Sequence, residues 1–192
     1  MNISYLYPYS VTGVRVFYIL PKLKMKKNFD VWVSKILRLE GGFVNNPNDL
    51  GGCTNKGITL ETFKDFYGRG NTVDDLKCIT DEQAAEIYRK NYWDKVKAER
   101  IDFSPLSYLL ADFAVNSGVR TAVKGIQKIV GVEVDGIIGN MTLNAINEYD
   151  GTELFNRLKE YRVEHYQKIV ENNPSQKIFL RGWLNRLDEY KI

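Results

Sequence analysis

The chain has 192 residues, a net charge of +3 and a pI near 8.7. Apolar residues at 44% can fill the core of one domain, or of one domain with a small appendage, and charged residues at 27% suit an aqueous surface. No apolar run approaches the roughly 18 residues of a membrane-spanning helix, no dense basic stripe marks a nucleic-acid binder, and one histidine, His165, with two cysteines, Cys53 and Cys78, makes neither a zinc site nor a disulfide framework.

Residues 1–24, MNISYLYPYSVTGVRVFYILPKLK, are rich in tyrosine and hold no acidic residue. Their apolar run from Val14 to Leu20 is short, interrupted by Arg15 and followed by Pro21 and Lys22, unlike a secretory signal. They read as an N-terminal extension or arm, and Met25 offers an internal start. Next, Phe29, Trp32, Val33, Ile36 and Leu37 recur at helical spacing, with Asn28 or Asp30 as cap and Gly41 as terminator. Residues 43–58 hold Gly, Asn, Pro and Asp and read as a loop or short hairpin.

Thr59 caps a helix through Tyr67, stopped by Gly68. Thr80 with Gln83 is a capping box that opens a helix around 84–92. Ser104-Pro105 starts another, with Leu106, Leu109, Leu110, Phe113 and Ala114 as its buried face and an end near Asn116-Ser117-Gly118. A shorter helix carries Val123, Ile126 and Ile129. Residues 134–139 turn, and a helix from about Met141 carries Leu143 and Ile146. Asp150-Gly151 breaks it, and Thr152 caps a long helix to Ile169. Asn172-Asn173-Pro174 precedes a last helix with Ile178, Phe179, Trp183, Leu187 and Tyr190. The pattern predicts a mostly α protein of about eight helices with little strand. Residues 25–100 and 101–192 are expected to pack as one globular unit.

The most informative stretch is residues 40–59, EGGFVNNPNDLGGCTNKGIT. Glycosidic cleavage needs one carboxyl group that stays protonated and a second polar or acidic group to handle water or developing positive charge. Glu40 ends an apolar-periodic helix, where burial and the negative helix end both favour the protonated form. Asp49 follows across a loop, where it can stay ionised, and Thr54 offers a hydroxyl to hold a water. By spacing alone, the same residues also describe an ordinary helix end and an ordinary turn.

Other residues carry paired readings. Tyr92 and Trp93 suit stacking on sugar rings or a place in the core. Asn116 and Ser117 suit a substrate N-acetyl or hydroxyl group, or a plain helix end. Asp112, in an apolar helix, is either solvent-facing or a buried partner of a backbone amide. His165, among Tyr161, Tyr166 and Ile169, reads as a satisfied core or surface histidine. The block from Asp135 to Thr142 suits a structural turn more than a ligand site.

Taken as a set, Glu40-Gly41-Gly42-Phe43-Val44-Asn45, Pro47, Asp49, Gly51-Gly52, Thr54 and Gly57-Ile58-Thr59 resemble the N-terminal signature of glycoside hydrolase family 108. These are lysozyme-like N-acetylmuramidases, some described as secretion activators. The likeness continues at Ile87-Tyr88-Arg89, Tyr92-Trp93-Asp94 and residues 112–118. It closes at Gln127 and residues 134–142, which look like the family's peptidoglycan-binding region, with Asn140 where proline is expected.

The resemblance implies a lysozyme-like α+β fold dominated by helices. It also implies cleavage of peptidoglycan glycan strands between N-acetylmuramic acid and N-acetylglucosamine, with Glu40 as general acid. The Glu–Asp–Thr order also looks like that of phage-type lysozymes. By that likeness Asp49 supports the water or the oxocarbenium-like charge, and Thr54 supplies the hydroxyl. Thr59 is the alternative, because the Asp-to-Thr spacing differs by one residue. No cofactor or metal is implied, and the expected partner is peptidoglycan, not nucleic acid. The competing activities are a lytic transglycosylase and a non-catalytic wall binder or secretion activator. Action on the wall, with no convincing signal, implies either export or retention in the cytoplasm until a holin-type release, as for a prophage endolysin.

Overall fold

The computed structural model describes residues 29–44 and 52–192, so the arm over 1–24 and Asp49 lie outside the described residues. Trp32, Val33 and Ile36 bury one face of α1 (Phe29–Glu40). Its aromatic side meets Trp93, whose ring centroid lies 5.1 Å from that of Trp32 and 5.6 Å from that of Phe29. Past Gly42 the chain forms a single bridge from Val44 to Thr54 and then a two-stranded hairpin, β1 (Thr54–Asn55) and β2 (Ile58–Thr59). Helix α2 (Leu60–Tyr67) starts directly from it, with the Thr59 hydroxyl accepting from the Thr62 amide and Gly68 closing the other end.

A short α3 (Val73–Lys77) follows, an element beyond those expected from the sequence, opened by a capping box from Thr72 and Asp75. Helix α4 (Asp81–Tyr88) opens on the expected Thr80–Gln83 box. It does not run on regularly to residue 92. Residues Arg89–Trp93 form a π turn, in which the Asp94 amide donates to the Arg89 carbonyl. Such single π turns re-aim side chains within a helix, often at functional sites.

Helix α5 (Ser104–Ser117) is the centre of the molecule, packed on α6 (Val119–Val130) and α8 (Gly151–Asn172). Leu106, Leu109, Leu110, Ala111, Phe113 and Ala114 are all buried, so apolar side chains surround the helix as its central position requires. Gly125 of α6 lets α8 approach closely, because a Cβ there would stand 2.6 Å from the Tyr161 ring. Helix α7 (Asn140–Glu148) leads to α8, whose cap is Asp150, accepting from the Glu153 amide at 2.8 Å. Thr152, expected as that cap, is already inside the helix. Helix α9 (Lys177–Asp188) returns along α8.

The expected mostly α architecture is therefore met, with the hairpin as its β element. Cys53 is buried and Cys78 exposed, both as free thiols. Among the described residues, no helix is long and apolar enough to cross a membrane.

Candidate active site

Glu40 is the last residue of α1, and Gly41, at φ +76°, turns the chain away from it. The hairpin folds back over the Glu40 side chain. Lys56 and Gly57 form its two-residue turn with φ of 51° and 73°, the pair of positive values that a tight hairpin demands. A Cβ on Gly57 would stand 2.7 Å from Glu40 Oε2 and 2.5 Å from the Tyr88 hydroxyl. Glycine is required there for both backbone conformation and space. Tyr88 donates its hydroxyl to the Lys56 carbonyl at 2.9 Å and clamps the turn in place. Asn55, also buried, donates to the carbonyls of Leu76 and Lys77 and ties the hairpin to α3.

Glu40 follows the apolar Ile36, Leu37 and Leu39 in the chain, but across the fold it meets a cation. Arg186 of α9 donates from Nη1 to Glu40 Oε1 at 2.7 Å. The same guanidinium reaches Asp112 of α5, with Nε 2.9 Å and Nη2 2.8 Å from Oδ1. Asp112 Oδ2 in turn accepts from Arg162 Nη2 of α8 at 2.6 Å. Asp112 and Arg162 are wholly buried, whereas the side chains of Arg186 and Glu40 keep 14% and 20% of their exposure.

Charge thus alternates outward from the core: Arg162, Asp112, Arg186, Glu40. Burial acts against the Arg186 charge, but Asp112 and then Glu40 outweigh it and hold the guanidinium above its ordinary range. Burial first, and the Glu40 charge second, push the Tyr88 and Tyr92 hydroxyls up, so both stay protonated donors. Asp112 is therefore not solvent-facing, and among the described residues its carboxylate is held by two guanidiniums rather than by a backbone amide. A carboxylate amid Leu109, Leu110, Ala111 and Phe113 needs a cation, and two arginines from distant parts of the chain supply it.

The other candidates divide. Thr54 and Thr59 are opposite one another in the hairpin register and so share a face beside the turn over Glu40. The Thr59 hydroxyl is engaged by α2, accepting from the Thr62 amide and donating to Thr62 Oγ1 at 3.0 Å. No such engagement holds the Thr54 hydroxyl among the described residues. Asp49 lies outside them.

Trp93 is 0% exposed and enclosed by Phe29, Trp32 and Tyr108, so sugar stacking by this residue is corrected to a core role. Tyr92 is half-buried, 5.8 Å from the Tyr88 ring. Asn116 and Ser117 are half-buried at the end of α5. Asn116 Oδ1 accepts from the Tyr166 hydroxyl at 2.7 Å and from Ser117 Oγ at 3.3 Å, which turns its amide nitrogen away from those bonds. Tyr166 itself accepts from Arg162 Nε at 2.6 Å and so joins Asn116 to the charged chain.

A cleft of about 340 Å³ opens beside this chain, lined by Leu39, Asn116, Trp183, Asn185 and Arg186. Its wall includes Leu39 and Arg186, the chain neighbour and the ion-pair partner of Glu40, but not Glu40 itself, and its size suits a small-ligand site. The residues missed in the sequence, Arg162 and Arg186, carry no local motif. The one available signal was Asp112, a carboxylate on a helix with no polar face.

The residues 33–118 match the sequence profile described as Glycosyl hydrolase 108, and residues 121–188 match one described as Predicted Peptidoglycan domain. Among solved structures, that of Brucella abortus SagA is similar, with a TM-score of 0.73 and 34% identity over 84% of this chain and 90% of that one. No curated protein matches the sequence.

Proposed function

Given that the chain belongs to the glycosyl hydrolase 108 family, we propose that it is an N-acetylmuramidase that cleaves peptidoglycan glycan strands with Glu40 as general acid. The matched regions support a glycoside hydrolase acting on peptidoglycan. The observation that carries the assignment of Glu40 is its setting. It is a partly exposed carboxylate at a helix end, backed by a glycine turn and oriented by a guanidinium that itself lines a cleft.

In this reading a glycan strand lies along the cleft, and Glu40 gives its proton to the glycosidic oxygen as the bond breaks. Water attacks the opposite face of the sugar. Inverting enzymes hold their two carboxyl groups roughly 6.5–9.5 Å apart to make room for that water. Asp49 is the second carboxylate and Thr54 the hydroxyl that steadies the water, with Thr59 held back by its capping bonds. Tyr92, Asn116 and Ser117 border the glycan path. The Asn116 amide, with its oxygen already engaged, is a donor for an N-acetyl carbonyl.

Turbidity loss of purified wall by wild type and Glu40→Gln tests the assignment. The expected loss of rate is about 10²–10⁴-fold, the usual contribution of a general acid. Equal clearing by both removes Glu40 from the role, and no clearing by either indicates a binding protein. Mass analysis of the products separates hydrolysis, which leaves a reducing sugar, from transglycosylation, which leaves an anhydro sugar.

A further inference from the structure

The region matching the peptidoglycan domain, residues 121–188, does more than lie beside the hydrolase region. It supplies both arginines of the charged chain. Arg186 reaches Glu40 across 146 residues of sequence and Asp112 across 74. Glu40 and Asp112 belong to the hydrolase region, residues 33–118. The guanidinium is the only side-chain hydrogen-bond donor to the Glu40 carboxylate among the described residues. Its own orientation is set from behind, since two of its nitrogens lie against Asp112 Oδ1 while Arg162 fixes Oδ2. Arg162 is held in turn by Tyr166 and by the Phe113 ring, 5.2 Å from its guanidinium carbon.

We infer that Arg186, anchored through Asp112 on Arg162, is a positioning residue for the Glu40 carboxyl group, so that the C-terminal region completes the catalytic centre. The inference rests on the hydrolase reading above. Arg186 acts in two ways. Its planar fork fixes the rotamer of Glu40, and its charge faces the carboxylate that must take up and release a proton. Asp112 shares that charge, which keeps Arg186 from being a lone cation against Glu40.

The other titratable groups around this centre come from every packed element. Tyr88 of α4 and Tyr92 of the π turn lie within the field of the Glu40 charge. Lys56 of the hairpin is committed to Asp81. Tyr166 of α8 joins Arg162, and Tyr190, after α9, lies close to Asp112. Lys35 and Arg38 of α1 pair with Glu189 at the periphery.

The test compares wild type, Arg186→Lys and Arg186→Gln on soluble glycan strands released from peptidoglycan, with reducing ends as readout across pH. Folding is checked by circular dichroism. Arg186→Gln is expected to lower kcat about tenfold or more, as misplacement of a reacting group does. It should also move the alkaline limb of the rate profile up by about one pH unit or more, because a cation beside the carboxylate has been removed. Arg186→Lys keeps the charge and loses the fork, so its limb stays near that of wild type while kcat is only partly recovered.

A carbon-13 titration of the Glu40 carboxyl in the same variants reads the charge effect without turnover, and its midpoint should rise in Arg186→Gln only. Binding to insoluble wall is measured alongside, in a Glu40→Gln background with and without Arg186→Gln. An unmoved limb and an unmoved carboxyl midpoint overturn the inference, as does a loss confined to wall binding. If wild type and Glu40→Gln release reducing ends equally, the hydrolase assignment itself falls, and this inference with it.

Discussion

Around Gln127 the buried polar groups close on one another, whereas around Asp112 they lead outward to Glu40. The Gln127 amide nitrogen donates to Asp135 Oδ1, the Ile137 carbonyl and Thr142 Oγ1, and its oxygen accepts from the Gly136 amide at 2.9 Å. Asp135 also accepts from the Ile137 amide. Each group is used within one turn, which pins α7 to α6 and leaves little to offer a ligand. The Asp112 chain is different in kind. It joins α1, α5, α8 and α9 through full charges, its outer member is a partly exposed carboxylate, and the guanidinium that holds that carboxylate lines a cleft. A polar network that satisfies itself makes a structure, and one that ends on an exposed carboxylate leaves chemistry available.

The largest effect should come from Asp112→Asn, which leaves Arg162 buried without its carboxylate. Breaking a buried pair in this way costs about 3–5 kcal/mol, so urea unfolding should show a large fall in stability together with loss of clearing. Gln127→Ala sharpens the contrast from the other side. It should cost about 1–3 kcal/mol, the price of unpaired buried polar groups, while clearing per folded molecule stays at the wild-type rate. If Gln127→Ala abolished clearing in a folded protein, the self-contained reading of that turn would be wrong.

The smallest effect concerns His165, set between the Phe113 and Tyr166 rings at 5.5 and 6.0 Å. Burial first, then Arg162 and Lys168, hold its pKa below the ordinary 6.5. The unfolded chain therefore binds the proton first. The stability that neutral His165 contributes is complete above pH 6.5 and is lost as pH falls through the folded value. The melting temperature of wild type should accordingly drop more steeply below pH 6.5 than that of His165→Gln.

Much of the fold could be read from local signals because those signals act locally. Thr59, the Thr80–Gln83 pair, Ser104-Pro105 and Gly118 each bound a helix through contacts within a few residues. The failures were local competitions. Asp150 took the cap expected of Thr152, and the helix after Tyr88 loosened into a π turn where Tyr88, Tyr92 and Trp93 must face different surroundings. For Trp93, sequence offered two places, and tertiary packing put it in the core.

What the amino-acid sequence determined by itself was the helical order, the turn chemistry and the carboxylate at the end of the first helix, since each depends on neighbours in the chain. The tertiary structure alone decided what faces that carboxylate. Spacing cannot report that Arg186 meets Glu40, or that Arg162 meets Asp112, because those pairs form only when the central helix is wrapped by the last two. A buried charge is stable only beside its opposite, and that requirement joins distant parts of the chain without leaving a pattern in either.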